Sequence, residues 1–575
     1  MLLARLIICL FCCQCVALSA TEAESCRRVY AHLTLHDNEG ALQEADAARK
    51  LYPNSVALAK ARIEALAAAG HENAMMGAYK DLLVQFPDES QDRTLLEIMA
   101  WGIIKKGAHS ASPITVATAL LAAQKGSDSR GVTLLAEGMR NHNSLIRGIS
   151  VDLVGQMRDA SLCSEIVRLL NQERTWSVRL AAIHAVGHMK VRDAQGICEN
   201  ILANPMAQAE EKAAAIESIV NLMDSAKPIN MDELVSSNRA GMRLLACQIA
   251  AFCGEFDDIS PLYPLLSDVN AEVRSIALQV IGLLRSKDQD SSVIISIAQS
   301  KLADPEPMVA ISAAWLLTLE DSVAGQKALR KWLSYPKREV RLQATAALVS
   351  TGKHGLPLMR DIFEAAQDPY IRMNLALGLI GQRIAVPEAC AALTDALKIN
   401  DRWMWEKEGL FRYVGPSTER HRDGIPNYPE AVNQLVRLEI LNVLAMMKSP
   451  DAQPSLRRFL KERNWGITGM AALLLLSEGN EDAVEVVATL LTDPDPKVRM
   501  QAALAMGLLG ADPRAVGVLE ASYASGDRAV KEKVLEAVGK IGRMASVPFL
   551  VEKLSEPHQN LRIFASAALL QCLNH

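Results

Sequence analysis

Asp493-Pro494-Asp495-Pro496-Lys497-Val498-Arg499, followed by Met500-Gln501-Ala502-Ala503-Leu504-Ala505-Met506-Gly507, is the stretch on which the fold turns. The Asp-Pro-Asp-Pro run reads as a turn, and a proline in the first turn of a helix gives up an N–H that has no use there. After it come small and aliphatic residues with a glycine at the end, the composition of a helix packed closely against another. The same order recurs at Ile146-Arg147, Val178-Arg179, Met242-Arg243, Val273-Arg274, Val340-Arg341, Ile371-Arg372, Val436-Arg437 and Leu561-Arg562. Lys212 and Lys531 stand in for the arginine in two copies, and Ala310 and Thr468 in two weaker ones.

Successive anchors are about 30 to 36 residues apart, most often 31. Each period holds two helices of about 10 to 12 residues with short turns. Amphipathic stretches such as Ser164 to Leu170, Val484 to Leu491 and Val547 to Leu554 supply the first helix of a pair. Counting from the arginine, columns three, four, six and seven are small or aliphatic: Ala182, Ile183, Ala185 and Val186 in one copy, Ala277, Leu278, Val280 and Ile281 in another. Column eight is often glycine (Gly187, Gly282, Gly507, Gly539), which admits a neighbouring helix. Columns five and nine vary (His184/His188, Gln279/Leu283, Leu504/Leu508, Glu536/Lys540) and are expected to be at least partly exposed.

These Val-Arg-x-x-Ala-Ala-x-Ala-x-Gly runs resemble HEAT-like repeats, most closely the short bacterial type named after phycobilin lyases. The resemblance spans about residues 111 to 575. It implies an all-α fold, an α-solenoid in which each helical pair packs mainly on its neighbours, with second helices lining the concave face. Residues 21–110 lack the anchor. There Gly40-Ala41, Ala45, Ala48, Leu51 and Pro53, then Gly70, Ala74, Tyr79 and Phe86-Pro87, look like two degenerate tetratricopeptide repeats, with Pro53 and Pro87 about one 34-residue period apart. Residues 107 to 126 are the expected junction.

The anchor arginines Arg147, Arg179, Arg243, Arg274, Arg341, Arg372, Arg437, Arg499 and Arg562 admit two readings. A row of them could grip an acidic ligand. Because the row is periodic through the whole array, the structural reading is favoured: each guanidinium pairs with an acidic turn residue, such as Asp495 before Arg499 or Glu272 before Arg274.

One segment breaks the period. Between Arg372 and Arg437 lie about two periods, and residues 399–430 occupy a repeat's place without its sequence, dividing the array into 111–398 and 431–575. Trp403, Trp405, Phe411, Tyr413 and Tyr428 gather there with Arg412, and Gly415-Pro416 and Ile425-Pro426-Asn427-Tyr428-Pro429 read as a turn-rich loop. Aromatic and arginine side chains anchor binding hot spots, so these six residues are the candidate partner site. The competing reading is a capping or hinge segment whose rings cover a gap in the solenoid.

Composition sets the frame. The chain has 575 residues, 50% of them hydrophobic but only 4% aromatic, and a net charge of -5. That excludes a disordered chain and a generically basic nucleic-acid binder. Residues 1–20 read as a secretory signal: Arg5, an apolar run from Leu6 to Leu18 broken by Gln14, and small residues at Ala17, Ser19 and Ala20. An uncleaved anchor is the alternative, and membrane contact is expected only through it. Four of the 11 cysteines lie in this segment and the other seven are scattered without a CxxC pair, so a disulfide framework or zinc ribbon is not expected. His184 and His188 have metal-compatible spacing but no third ligand beside them. Neither a phosphate-binding loop nor a nucleophile motif is present, and no catalytic residue or cofactor is assigned.

The resulting expectation is an exported, periplasmic or secreted, non-enzymatic scaffold that binds a protein or peptide. The alternatives are a lyase-type enzyme, implied only by the lyase-type repeats, and a membrane-anchored envelope assembly factor.

Overall fold

A computed structural model describes residues 21–204, 206–222, 231–253, 259–284, 292–399, 403–416, 428–462 and 481–574. Among them the chain is an array of helical pairs, with one two-stranded antiparallel sheet as its β structure. It is an α-solenoid by construction, since consecutive pairs pack on one another. The expected signal segment and its cleavage site lie outside the described residues. No described helix is long and apolar enough to cross a membrane.

The packing forms two compact units whose limits differ from the domain boundaries read from the sequence. One unit comprises the chain up to Ala185 together with Glu520–His575, and the other runs from Val186 to Leu519. In the first unit, Thr21 and Glu24 form a reciprocal capping box on the opening helix Glu22–Thr34. The pairs Glu22–Thr34 with Asn38–Leu51, and Val56–Ala68 with Glu72–Gln85, stand where the two degenerate repeats were expected. The stretch expected as a junction is mostly helical, because Ser112 caps Pro113–Gly126 with Pro113 in its first turn.

The last helix of the chain, Gln559–Asn574, packs against Arg93–Ala108 and Pro113–Gly126 in this unit. Leu561, Ile563, Leu569, Leu570 and Leu573 on it are almost fully buried, each contributing about 1.5–3 kcal/mol of burial. A Cβ on Gly107 would come within 2.5 Å of the Ile563 Cδ1 atom, so the absent side chain sets this approach. Polar contacts join the same sequence-distant segments: Lys125 Nζ lies 2.8 Å from a Glu536 oxygen, and Thr115 Oγ1 is 3.1 Å from Asn560 Oδ1. Nothing in the local sequence pattern foretells this pairing of chain ends.

In the second unit, the second helices Ala240–Cys253, Ala271–Leu284, Pro307–Leu319, Arg338–Ser350 and Pro369–Gly381 each pack on the next. Column-eight glycines work as the pattern requires. A Cβ on Gly282 would lie 2.3 Å from the Trp315 ring, and one on Gly187 would lie 2.8 Å from the backbone of Ser218. The expectation for columns five and nine holds for Leu283 and His188 and fails for Gln279, Leu504 and Leu508, all buried. Leu508 sits in the π-helical turn Met506–Gly510, where the α-helical column count no longer applies. Gln279 is covered by the hairpin described below.

The anchor arginines form a ladder, with partners other than those expected. Five of them reach back to carbonyls five and six residues earlier in their own turn: Arg147 to His142 and Asn141, Arg274 to Val269 and Asp268, Arg341 to Pro336 and Tyr335, Arg499 to Pro494 and Asp493, Arg562 to Pro557 and Glu556. Arg243 reaches the Ser237 carbonyl in the same way. The carboxylate comes from the next repeat's turn: Glu173 for Arg147 (2.7 Å), Asp268 for Arg243 (2.5 Å) and Asp304 for Arg274 (2.9 Å). Those carboxylates also accept backbone N–H groups, as Asp268 does from Asn270 and Asp304 from Glu306. Each therefore fixes its own turn and clips it to the preceding repeat, which Glu272, on the same helix as Arg274, could not do. Asp495 serves as a helix cap for the N–H of Lys497. For Arg562 the carboxylate comes from the N-terminal part of the chain, where Glu72 meets it at 2.6 Å. Arg179 is half-buried on Trp176–Met189. Arg372 is exposed and stacks on Phe363.

Candidate functional site

The segment that breaks the repeat folds as a β-hairpin where the sequence suggested a turn-rich loop. Strand β1 (Trp403–Glu408) pairs antiparallel with β2 (Phe411–Pro416). Gly409 has φ +61°, the left-handed first position that a two-residue loop of this kind reserves for glycine. Gly415 and Pro416 lie in β2, at the edge end of the strand where a proline is tolerated. Ile425-Pro426-Asn427 falls outside the described residues, and Tyr428 with Pro429 opens the helix Tyr428–Met446.

Second helices of the array hold this hairpin down. Asn374, almost fully buried on Pro369–Gly381, grips the backbone of Val414 with its amide: Oδ1 accepts the Val414 N–H and Nδ2 donates to the Val414 carbonyl, both at 2.8 Å. At the other end Gln279 Oε1 accepts the N–H of Leu410. Two serines orient that amide, since Gln279 Nε2 donates to Ser275 Oγ at 3.2 Å and Ser312 Oγ at 2.9 Å. A Cβ on Gly409 would come within 2.2 Å of Gln279 Oε1. A side chain assigned to a variable, exposed column is thus a buried docking point.

The candidate residues divide by burial. Trp403, Phe411 and Tyr413 are buried, and their rings face the chain's own helices. Phe411 meets Trp315 edge-on at 5.3 Å, and Trp403 meets Tyr370 at 6.5 Å with the Arg437 guanidinium 4.2 Å from its ring. Arg437 also donates to the carbonyls of Leu397 and Ile399. These three rings fasten the hairpin and are not open for a partner, because their apolar area is spent on the helices beneath. Burial pushes the Tyr413 hydroxyl up to about 12, helped by Glu406, Glu408 and Glu339 nearby.

Arg412 and Trp405 differ. The Arg412 guanidinium stacks 4.0 Å from the Trp405 ring, its side chain is 57% exposed, and Glu439 lies 3.5 Å away. Lys407, also exposed, stands directly across the strands from Arg412. Like charges directly opposite destabilise a sheet, so this pair costs the isolated hairpin and suits an outside acceptor.

Three or more His, Cys, Asp or Glu groups that could hold a metal do not come together among the described residues.

The model sequence for HEAT repeats matches residues 469–531, of which 481 onward are described. This stretch is similar in sequence to HEAT repeats. The helical pairs with the same anchors on either side continue the pattern. No curated protein matches the chain. Solved structures that resemble it include the myosin chaperone UNC-45 from C. elegans in complex with an Hsp70 peptide, with 13% identity, 96% of this chain and 82% of that one covered, and a TM-score of 0.35. Another is human deoxyhypusine hydroxylase in complex with glycerol, at 18% identity, 45% and 98% coverage, and a TM-score of 0.21. Likenesses this low leave the chain's activity to be argued from its own residues.

Proposed function

We propose that this chain is an exported, non-enzymatic scaffold that binds a protein or peptide partner, with the outer face of the hairpin as a contact surface. The observation that carries this reading is the exposed Lys407–Arg412 cross-strand pair beside Trp405. Two cations and an indole on a rigidly docked hairpin are the composition of a binding hot spot, and rigid support lowers the ordering cost of association. Export rests on the apolar leader of residues 1–20.

Affinity capture with the full chain tests the contact. Trp405→Ala with Arg412→Ala should lose the captured partner while leaving the far-UV circular dichroism unchanged. Undiminished capture by that variant would remove the hairpin from the reading. N-terminal sequencing of the protein recovered from its native compartment tests export: a start near residue 20 is expected, and an intact Met1 on cytoplasmic protein would overturn it.

A further inference from the structure

Where two neighbouring repeats meet in the first unit, the ladder turn of Arg147 opens into a cleft of about 740 Å³. Arg140, Arg147, Arg168 and Arg174 line it together with Glu173 and Gln172. Glu165, buried behind, is shared by Arg140 (2.9 Å) and Arg168 (2.7 Å), and Glu173 is held by Arg147. Hydrogen bonds from Arg140 and Arg147 respectively lower these two carboxyls to about 2, so both stay ionised. Four guanidiniums thus meet two carboxylates, which leaves two positive charges in excess in a chain whose net charge is -5.

The repeat does not need three of these arginines. Seven residues before the anchor, where this copy has Arg140, five others have Ser236, Ser267, Ser334, Thr492 and Ser555. After the ladder carboxylate, where this copy has Arg174, the turns with Asp268, Asp304, Asp368 and Asp493 continue with Val269, Pro305, Pro369 and Pro494. Five residues before that carboxylate, Arg168 stands where those four turns have Tyr263, Gln299, Phe363 and Ala488. Only Arg147 belongs to the ladder. Arg140 is 66% exposed at its side chain, and Arg174 is exposed. Leu145 and Trp176, each within three residues of a lining residue, are exposed as well, at 62% and 38%.

From this we infer that the cleft between the Arg147 and Arg174 turns is a binding site for an acidic peptide segment. Carboxylates would take the spare guanidinium donors of Arg140, Arg168 and Arg174 in the paired geometry that arginine favours. Clustered arginines reading an acidic motif are a recurring mode of peptide recognition. This site is independent of the hairpin.

Fluorescence anisotropy of a labelled hexaglutamate peptide against the full chain, with hexaglutamine as control, tests it. Hexaglutamate should bind at least about tenfold more tightly than hexaglutamine, and the difference should shrink with added salt. Arg140→Ser with Arg174→Val, which installs residues the other turns carry, should weaken hexaglutamate binding about tenfold while the far-UV circular dichroism stays that of the folded chain, Arg168 still holding Glu165. Trp405→Ala with Arg412→Ala should leave it as it was, which separates this site from the hairpin. Equal binding of the two peptides would overturn the proposal, as would full binding by the Arg140→Ser, Arg174→Val variant.

Discussion

The ladder turns and the hairpin solve one problem in two ways. In both, something must fasten an added element to the layer of second helices. Between regular repeats the fastener is a guanidinium that reads its own turn's carbonyls and the next turn's carboxylate, as Arg274 does with Asp268, Val269 and Asp304. At the hairpin there is no such turn, and side-chain amides take over: Asn374 reads Val414 and Gln279 reads Leu410. The ladder is periodic and legible because most copies place the same residue at the same step. The amide contacts are single events, so they leave no period in the sequence.

Substitutions should separate the two kinds of fastening, starting with the ladder's last rung. Arg562 and Glu72 are deeply buried, with 13% and 4% of their side chains exposed, and they join segments far apart in the chain. Arg562→Ala strands the Glu72 carboxylate with only Lys106, 3.6 Å away. A loss of about 3 kcal/mol is expected, the lower end of the range for breaking a buried pair, read from urea unfolding of the full chain. A loss under about 1 kcal/mol would make the rung no better than a surface pair. Asn374→Ala comes next. It leaves the N–H and carbonyl of Val414 buried without partners, at a cost of about 2 kcal/mol. Hydrogen exchange should rise in residues 403–416 and stay unchanged in the ladder turns. Gly409→Ala should cost about 1–2 kcal/mol for the left-handed backbone, and its clash with Gln279 should again loosen the hairpin alone.

How much of this was legible follows from the same contrast. Helical pairs, anchors and column-eight glycines were readable from residues such as Val273-Arg274 and Gly282, because periodicity repeats its evidence. The partners of the arginines were misread, since sequence proximity favours Glu272 while the geometry of a stacked repeat favours Asp304, thirty residues on. The concentration of rings marked the place where the repeat fails, yet Trp403, Phe411 and Tyr413 proved to be the hairpin's own packing. Composition cannot say which side of a strand faces helices. Alternation could have raised the possibility of strands, with Gly409 as the turn, but Trp403 to Glu408 mixes rings and charges without a clean apolar face. The pairing of Gln559–Asn574 with Arg93–Ala108 was beyond reach, because nothing local encodes contacts between residues so far apart.

A smaller effect probes whether the hairpin's docking carries a pH dependence opposite in sign to the ladder's. Burial raises the Glu408 carboxyl above its usual range, and Glu272 nearby pushes it the same way, while a hydrogen bond with Gln343 opposes the shift. A carboxyl whose folded value is raised binds its proton more tightly in the docked hairpin than in the free chain. Its docking is therefore favoured at acid pH and weakened as pH rises through the raised value. Ladder carboxyls such as Asp304 are lowered by their arginines and have the opposite sign: their contribution is present at neutral pH and is lost as pH falls through the lowered value. Glu408→Gln removes the charge and keeps the amide-sized side chain. At neutral pH it should stabilise the hairpin by about 0.5 kcal/mol, a figure kept small because the group is partly exposed to solvent. Hydrogen exchange of residues 403–416 across pH 4 to 7 reads the hairpin's sign, since the ladder carboxyls titrate below that range. Protection should fall with rising pH in the natural chain and stay flat in the variant, and a parallel fall in both would show that Glu408 is not the group responsible.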